Sequence, residues 1–389
     1  MAQRILVIGA GIAGLATAVA LQRRGRDVGI IEERVDTSSG AGISIWPNAL
    51  AALDAIGLGD AVRDAGGRVT AGALRWRDGT WLRRPSQQRL VHALGEPLVV
   101  LRRSALTKIL ADALAGGTLH NGVAARELVT TADGVRVTLS DSTTRHAAAV
   151  IGADGIRSLV AQHLNGTLTH RYAGYTAWRG VATYSLDPDL AGETLGAGAE
   201  AGHVPLGPDH TYWFATERAP EGRSAPDGEL AYLKGKFASW AAPIPAVLTA
   251  TDPADVLRND LYDRDQARQW SRGPVLVVGD AAHPMRPHLG QGGCQGLEDA
   301  AILARFVDGT DDLATAFARF AAFRRPRVRA LVRESKLIGR IVNLRPALLS
   351  GVAGRATVLV PEALMTRHLA AVAARSAFVL PSERDLAPV

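Results

Sequence analysis

The chain has 389 residues, more than one hydrophobic core usually organises, and this length fits two domains. Apolar residues make up 47% and charged residues 21%, an ordinary globular balance that excludes a largely disordered protein. The net charge of +6 is carried almost entirely by arginine. No nucleic-acid-binding module or mixture of basic and aromatic residues accompanies it, so a nucleic-acid partner is not expected.

The first elements predict a βαβ unit. Arg4 to Ile8 is a short apolar run typical of a strand, and a glycine-rich turn follows at Gly9–Gly14. The next residues predict a helix that ends at Gly25, and a second apolar strand runs from Val28 to Ile31. Because the chain enters the first strand at once, without a basic region and a cleavage site, we expect no signal peptide.

The GAGIAG turn has the spacing of a dinucleotide-binding loop. Gly9 makes the tight turn, Gly11 lets a pyrophosphate approach the backbone, and Gly14 lets the helix pack close to the strand. Glu32 ends the second strand, where a carboxylate accepts a hydrogen bond from a ribose hydroxyl. Since this carboxylate would repel a 2′-phosphate, the site is predicted to take FAD or NAD.

The following residues predict helices and strands in turn. Gly40–Leu50 reads GAGISIWPNAL, a glycine turn leading to a short helix that begins near Pro47. Arg68–Arg84 alternates around Asp78-Gly79, which predicts a hairpin belonging to a second, antiparallel domain. Val99–Leu114 predicts a return to helix.

The middle of the chain is predominantly β. Gly122–Ala149 predicts strands around Asp133-Gly134, and the next apolar strand ends in Asp154-Gly155. Arg171–Asp260 is rich in aromatic residues and turn residues, so we interpret it as an inserted antiparallel sheet.

Val275–Ala300 repeats the pattern of a ligand-binding strand end. An apolar strand leads to Asp280, a loop closed by Gly290, Gly292 and Gly293 follows, and a helix begins after it. Three further helical stretches are predicted: an alanine-rich one to Phe323, one from Arg324 to Val342, and one from Glu362 to about Ala374.

These elements predict an α/β fold with a discontinuous Rossmann-like FAD-binding domain, an inserted antiparallel β-sheet substrate domain and C-terminal helices. The predicted pieces are 1–67, 98–170 and 270–330 for the FAD-binding domain, 68–97 and 171–269 for the substrate domain, and 331–389 for the C-terminal helices.

Three acidic or glycine-rich sites follow predicted strands, and ligands of doubly wound sheets bind at the carboxyl ends of the strands. They are Gly9–Gly14 with Glu32, Asp154-Gly155, and Asp280 with Gly290–Gly293. One long ligand can meet all three, and FAD has the necessary length. Its ribityl chain would meet Asp280, and its flavin edge would face the helix N-terminus, whose positive end stabilises charge on a reduced flavin.

The same motifs, in this order, resemble the class A flavoprotein monooxygenases. The resemblance rests on GAGIAG with Glu32, Arg103 in RRSAL, Asp154-Gly155 in GADGIRS, and Gly279-Asp280 followed by Pro287 and GQGG. It covers almost the whole chain. The runs GISIWPN, RYAGYTAWRG and GQGGCQGLEDA resemble the subgroup of the urate hydroxylases and zeaxanthin epoxidases.

The resemblance implies that NAD(P)H, bound transiently, reduces FAD and that O2 then forms a flavin C4a-hydroperoxide. This species would hydroxylate or epoxidise an aromatic or conjugated small molecule. The alternatives are a flavin oxidase or dehydrogenase without oxygen insertion, and a non-catalytic flavin- or ligand-binding protein. The residues expected to bind the cofactor are Gly9, Gly11, Ala13, Gly14, Glu32, Arg103, Asp154, Asp280, Pro287, Gly290, Gly292 and Gly293.

The substrate is expected over the flavin ring, against the inserted sheet. Candidates for the pocket wall are Trp178, Arg179, Tyr212, Trp213 and Phe214. The run AEAGHVPLG, residues 199–207, lacks the arginine that a urate-type anion would require. The sequence indicates no general base and no metal site.

Several residues also have a purely structural interpretation. Asp280 and Asp154 can cap helices, and His283 is expected to be structural. Cys294, the only cysteine, is expected to be a small buried residue. The arginines at 324, 325, 327, 329 and 333 are expected to form a solvated helix face, with attraction of NAD(P)H phosphates as the alternative.

A single cysteine excludes an internal disulfide bond and suits the reducing cytoplasm, where we expect the protein. No apolar run reaches the roughly 18 residues expected of a membrane span. The expected assembly is a monomer or homodimer.

Overall fold

The computed structural model describes residues 4–35 and 41–386. The glycine turn predicted at Gly40 lies outside these residues. The strands, in chain order, are β1 Ile5–Ile8, β2 Val28–Glu32, β3 Gly42–Ile45, β4 Gly67–Val69, β5 Ala73–Trp76, β6 Trp81–Arg83, β7 Leu98–Arg102, β8 Leu119–Asn121, β9 Ala125–Thr131, β10 Gly134–Leu139, β11 Thr144–Ala147, β12 Ala149–Gly152, β13 His170–Ala182, β14 Gly192–Gly196, β15 Ala199–Pro205, β16 Thr211–Glu217, β17 Leu257–Arg264, β18 Ser271–Arg272 and β19 Val275–Val277.

Helices occupy most of the remaining chain. They are α1 Ile12–Gln22, α2 Pro47–Ala55, α3 Gly59–Ala65, α4 Gln87–Leu94, α5 Arg103–Asp112, α6 Leu159–Asn165, α7 Glu229–Phe237, α8 Ile244–Thr249, α9 Gly292–Phe306, α10 Leu313–Val342, α11 Ala347–Ala356, α12 Glu362–Ala373 and α13 Glu383–Leu386. As predicted, α2 begins at Pro47, whose missing N–H costs nothing in a first helical turn.

The first sheet has the order β18-β19-β12-β1-β2-β8, and all its strands except β18 run parallel. Its central strands are buried on both faces, which explains why they read as continuous apolar runs. The strand at Val275–Val277 joins this sheet beside β12, although the whole inserted segment separates them in sequence. The predicted discontinuous Rossmann-like sheet is therefore confirmed.

The second large sheet has the order β17-β13-β16-β15-β14-β5-β6. The hairpin predicted around Asp78-Gly79 is formed by β5 and β6. Its strands are antiparallel, as expected, except that β14 and β5 pair in parallel. This exception arises because β5 reaches the sheet from a distant part of the chain and not through a hairpin.

Two sequence-based assignments are wrong, one at the start of the second piece of the FAD-binding domain and one in the inserted region. Leu98–Arg102 forms a strand that pairs with both β3 and β4, so the predicted helix begins only at Arg103. A short apolar run does not distinguish a strand from a buried helix by periodicity alone. The segment 171–260 is not purely β either, because α7 and α8 cover one face of the second sheet.

The C-terminal region also differs from the prediction. The expected boundary between Phe323 and Arg324 does not exist, since α10 runs unbroken from Leu313 to Val342 and contains Pro326. An additional helix, α11, precedes the predicted one at α12. In the described part of the chain no single helix is long and apolar enough to cross a membrane. The segments Ala347–Leu359 and Glu362–Ala373 reach that length only as a pair bent by 102°.

Candidate active site

Adjacent parallel strands bring the predicted cofactor residues to one edge of the first sheet. Strands β19, β12, β1 and β2 lie side by side, and they end just before Asp280, Asp154, Gly9 and at Glu32. Because parallel strands point the same way, these four sites share the carboxyl edge. Gly9 and Asp280, about 270 positions apart in sequence, thus lie at one edge of the sheet.

The first loop has the geometry expected of a dinucleotide-binding turn. Gly9 has φ +102°, and a Cβ on it would lie 2.5 Å from the carbonyl oxygen of Ala153. A Cβ on Gly14 would lie 1.9 Å from the carbonyl oxygen of Gly9, so only glycine lets α1 approach the strand this closely. A Cβ on Gly11 would meet no described atom within 4 Å. The backbone at Gly11 is therefore open to a ligand, as its predicted role requires.

Ala13 is half-buried, and its side chain packs against the neighbouring elements. A Cβ built on Gly279 would lie 2.6 Å from the Ala13 Cβ, and one on Gly296 would lie 3.0 Å from it. Ala13 thus separates α1 from α9 and fixes the distance between the first loop and the Asp280 loop. Its side chain supports the site through packing.

Glu32 holds the first loop against the end of β2. Its carboxylate accepts hydrogen bonds from the backbone N–H groups of Ala10 at 2.6 Å and Arg34 at 2.9 Å. The side chain is buried. Glu32 therefore has a structural role that the sequence did not indicate, and the predicted ribose contact stays a prediction.

Asp154 has the structural role that was its alternative interpretation. One carboxylate oxygen accepts the N–H groups of Leu159 at 2.8 Å and Val160 at 3.3 Å, at the start of α6. Burial raises the pKa of Asp154. Its other oxygen, Oδ1, is buried without a hydrogen-bond partner among the described residues. A polar ligand group at this edge would satisfy that oxygen.

Asp280 follows β19 at the carboxyl edge of the first sheet. Its side chain is exposed to solvent, yet burial by surrounding protein raises its pKa, against the opposing influence of His283, Arg103 and Arg264. Arg103, the first residue of α5, is likewise exposed while burial lowers its pKa. A group that is both accessible and densely surrounded lines a concave site. The carboxylate and guanidinium face the same cleft, because each shifts the other's pKa.

The glycine-rich loop before α9 forms the far end of this cleft. Pro287–Leu289 makes a helical turn, and Gly290 follows with φ +62°. A Cβ on Gly290 would lie 2.7 Å from the indole Nε1 of Trp46, which lacks a hydrogen-bond partner among the described residues. A Cβ on Gly292 would lie 3.9 Å from Asp280 Oδ1. The first N–H groups of α9 therefore open beside Asp280 and create a site for negative charge.

A buried ionic network lies beneath this loop, and the sequence reasoning missed it. Asp299 accepts a hydrogen bond from the Gly279 N–H at 2.9 Å, lies 2.6 Å from His283 Nε2, and binds Arg324 at 2.8 Å. Arg324 also binds Glu298 at 2.8 Å. The network joins α9 and α10 to the turn that carries Asp280.

Some of the arginines that were expected to form a solvated helix face belong to this buried network instead. Arg324 is only 1% exposed, and Arg327 also binds Glu298, at 2.9 Å. The reason is that α10 packs on α9, which carries two adjacent buried carboxylates. Arg329 and Arg333 are exposed, as predicted. His283 is buried beside Asp299, which agrees with its structural interpretation. Cys294, whose pKa burial raises to about 12, is a small core residue as expected.

The five pocket-wall candidates divide between the two faces of the second sheet, because successive side chains of a strand point to opposite faces. Trp178 and Trp213 are buried in the core against α7 and α8, so neither lines the cleft. Their indole N–H groups donate to Glu229 and Thr251. Both were wrong as pocket-wall candidates.

Arg179, Tyr212 and Phe214 lie on the opposite face. In the register of β13, β16 and β15, Arg179 is opposite Phe214, which is opposite Gly202. A Cβ on Gly202 would lie 2.1 Å from Phe214 Cε1, so the ring leans over this glycine. Tyr212 packs on Gly42 of the cofactor-binding half. This face therefore turns toward the cleft.

Four further residues of this region were not anticipated. Glu200 lies 3.4 Å from His288 Nδ1, whose Nε2 is 2.9 Å from the Tyr175 hydroxyl, so the sheet is linked to the loop before α9. Glu193 lies diagonally across from Glu200 on the same face. Burial and the charge of Glu200 raise the pKa of Glu193 to about 8, although its side chain is exposed. Only the strand register brings these residues together.

The cleft fits an elongated, anionic dinucleotide cofactor. It offers an open glycine backbone at one end, unsatisfied Asp154 and Trp46 atoms along its length, and a helix N-terminus beside Asp280 at the other. Among residues 4–35 and 41–386, no group of three or more His, Cys, Asp and Glu side chains is arranged to hold a metal ion.

Comparison with known proteins agrees with this geometry. The family described as FAD binding domain matches residues 2–335. The aurachin C monooxygenase/isomerase of Stigmatella aurantiaca is 37% identical over 341 residues, which cover 87% of this chain and 89% of that protein. An FAD-dependent urate hydroxylase of Klebsiella pneumoniae is 32% identical, over 86% of this chain and 88% of the relative.

Solved structures show the same fold. The crystal structure of Klebsiella pneumoniae HpxO complexed with FAD and uric acid superposes with a TM-score of 0.88 and 29% identity, covering 95% of this chain and 96% of that one. The relatives are named as monooxygenases, hydroxylases and an epoxidase, which favours oxygenation over the two alternatives. The chain belongs to the FAD binding domain family and is an FAD-dependent enzyme of the class A flavoprotein monooxygenases.

Proposed function

We propose that FAD lies along the carboxyl edge of the first sheet, with its adenosine end at Gly9–Gly14 and Glu32 and its flavin end at the start of α9. The observation that carries this placement is the order of the parallel strands, which brings Gly9, Glu32 and Asp280 to one edge of the first sheet. Bound FAD supplies the redox and oxygen-activating chemistry. The protein positions it and holds positive potential from the α9 N-terminus at the flavin edge.

The reductant in this proposal is NAD(P)H, which binds transiently. The sequence has a single GxGxxG turn, which the FAD adenosine occupies, so the nicotinamide cofactor would approach the flavin from solution. A reducing compartment such as the cytoplasm suits this reaction and the one buried cysteine.

The substrate in this proposal is a small aromatic or conjugated molecule. It would lie between the flavin and the face of the second sheet that carries Arg179, Tyr212 and Phe214. The aromatic ring of Phe214 would stack on a planar substrate, and the Gly202 beneath it leaves room for that ring.

Glu193 and Glu200 favour a neutral ring that bears both N–H and C=O groups. Since the pKa of Glu193 is raised to about 8, its carboxyl is protonated near neutral pH and donates a hydrogen bond. Glu200 adds negative charge beside Glu193, whereas Arg179 lies on the same face, opposite Phe214. The edge formed by the two glutamates would disfavour a ring anion, in agreement with the absence of arginine from the β15 segment. The Glu193 carboxyl as donor and the Glu200 carboxylate as acceptor would pair with a C=O group and an adjacent N–H group on the edge of a substrate ring.

A screen of small aromatic compounds tests the proposal. We expect the purified protein to be yellow and to oxidise NADPH or NADH faster when a substrate is present. Label from 18O2 should enter the product, whereas an unlabelled product would contradict oxygen insertion. Neutral heteroaromatic lactams should stimulate the oxidation more strongly than benzoate-type anions of similar size. The opposite order would contradict the role given to Glu193 and Glu200.

A further inference from the structure

The last third of α10 and the two helices after it carry an unusual amount of exposed apolar surface. Most of the large apolar side chains exposed in residues 4–35 and 41–386 lie within residues 337–365, here called the apolar segment. They are Leu337, Ile341, Leu344, Leu348, Leu349, Val352, Val358, Leu359, Leu364 and Met365. Exposed apolar surface concentrated in this way marks an interaction site.

Helix α11 shows the reverse of the ordinary arrangement of a surface helix. Its inward side is made of small residues: Ser350 accepts a hydrogen bond from the Gly198 N–H at 2.9 Å, and Gly351 packs on Trp76. Its outward side carries Leu348 and Val352, which are 72% and 60% exposed. A helix that only had to cover the second sheet would place its large apolar residues inward.

The same pattern continues on both sides of α11. At the end of α10, Leu337 and Ile341 lie one helical turn apart on the exposed side, whereas Gly339 is buried. The exposed Leu344 follows just after this helix. After α11, Leu359 is 81% exposed at the bend that leads to α12. The exposed apolar residues therefore continue along three consecutive helices.

The charged residues of the apolar segment and of α12 indicate which kind of partner this surface binds. Residues 337–373 contain Arg340, Arg345, Arg355 and Arg367 against one carboxylate, Glu362. All four arginines are exposed. In a symmetric dimer built on this surface the same basic patch would face itself, and like charges would oppose pairing. An anionic lipid surface matches both the apolar residues and the arginines.

We propose that the apolar segment docks the protein onto the surface of an anionic lipid bilayer. The leucines and valines of α11 and of the following bend would enter the boundary between headgroups and acyl chains, and the arginines would bind the phosphates. The helices would lie on the membrane and not cross it, because none is long and apolar enough alone.

Vesicle co-sedimentation with the full-length, FAD-loaded protein tests the proposal. We expect binding to phosphatidylcholine vesicles that contain about 30% phosphatidylglycerol to be at least about tenfold tighter than to pure phosphatidylcholine, and to weaken at high salt. Equal, negligible binding to both vesicle types would overturn the proposal.

Two variants locate the contact. Leu348→Glu with Leu359→Glu should lower vesicle binding at least about tenfold while the flavin spectrum stays unchanged, since both side chains are exposed. The matched control is Val379→Glu with Leu380→Glu, two exposed apolar positions outside the segment. Binding that survives the first pair, or that is lost equally with the control, would contradict the assignment.

Light scattering coupled to size-exclusion chromatography provides the competing outcome. If the wild-type protein is a dimer in the absence of lipid and the Leu348→Glu, Leu359→Glu variant is a monomer, the apolar segment is a self-association surface and the lipid proposal is wrong. We expect both proteins to have the same mass without vesicles.

Discussion

Single residues at the proposed cofactor site have structural roles beside the ligand contacts proposed for them. Glu32 satisfies two backbone N–H groups, and Asp154 begins α6, so both contribute to the fold before any ligand is bound. Asp280 differs, because burial raises its pKa and its charge is therefore costly in the protein alone. The three carboxylates should consequently respond differently to substitution.

Asp280→Ala should weaken FAD binding without destabilising the FAD-free protein. Loss of one hydrogen bond to a charged group corresponds to about 1.5–3 kcal/mol, or roughly a ten- to hundredfold rise in the Kd for FAD. Flavin fluorescence titration measures the Kd, and thermal unfolding of the FAD-free protein measures stability. Asp64→Ala, at an exposed carboxylate, is the control. An unchanged Kd would contradict the placement of the ribityl chain.

Glu32→Ala should lower both FAD affinity and stability. The carboxylate holds the N–H groups of Ala10 and Arg34, so its removal leaves two backbone donors without their acceptor in the free protein. We expect FAD affinity to fall by about 1.5–3 kcal/mol and the unfolding free energy by about 1–3 kcal/mol. If affinity stays normal while stability falls, Glu32 has only its structural role.

Glu193 predicts a specific pH dependence. Its pKa of about 8 means that the proposed hydrogen-bond donor is present below about pH 8 and is lost as the pH rises through this value. The KM for a substrate should therefore rise above pH 8 in the wild type. Glu193→Gln should remove that transition, because the amide remains a donor at every pH. Glu127→Gln, at an exposed glutamate, should leave the profile unchanged.

Secondary-structure elements are joined at the cleft by buried ionic contacts as well as by apolar packing. Helix α9 contributes Glu298 and Asp299, and α10 contributes Arg324, all of them nearly inaccessible to solvent. A buried charge is tolerated only when it is paired, so the three residues depend on each other. The Gly279 N–H donates to the Asp299 carboxylate, so the packing of these helices is coupled to the turn that carries Asp280.

Arg324→Met should destabilise the protein by about 3–5 kcal/mol, because it leaves two buried carboxylates without their main partner. Arg329→Met, on the exposed side of the same helix, should change stability by less than about 0.5 kcal/mol. Denaturant unfolding of the FAD-loaded enzymes measures both values. Equal effects of the two substitutions would show that the buried network contributes little.

The network also predicts acid sensitivity. Burial alone would raise the pKa of Asp299. His283 and Arg324 outweigh this effect and lower the pKa to about 2, below the ordinary value of 3.8. The stabilisation is present above about pH 4 and is lost as the pH falls toward 2, by about 2 kcal/mol. Asp299→Asn should lose less stability than the wild type between pH 6 and pH 3. An equal loss in both proteins would place the acid-sensitive group elsewhere.

At the scale of the whole molecule, the cofactor-binding half is assembled from distant parts of the chain. Strand β19 completes the first sheet beside β12, and α9 packs on α1 across Ala13 and Gly296. Most strands of the second sheet come between these parts in the chain, and Tyr212 of this sheet packs on Gly42 of the cofactor-binding half. The proposed substrate site would therefore exist only when both halves are folded.

Much of the cofactor half was predictable because its signals are local. The turn at Gly9–Gly14, the acid at Glu32 and the glycine-rich loop before α9 each follow an apolar strand in the sequence, and parallel strands place such ends together. The substrate half was less predictable. An alternating strand shows which residues share a face but not which face meets the cleft, so Trp213 and Phe214 were equal candidates.

By itself, the sequence determined the α/β class, the discontinuous dinucleotide-binding sheet and the resemblance to flavoprotein monooxygenases. Each of these conclusions depends on short motifs in which glycines allow a tight turn after a strand and carboxylates stand at strand ends. Only the tertiary structure decided that Arg324 is buried, that Trp178 lies in the core, and that Glu193 lies diagonally across from Glu200 on the second sheet. These facts depend on which surfaces pack together, and helix packing and strand register are set by contacts between residues far apart in the chain.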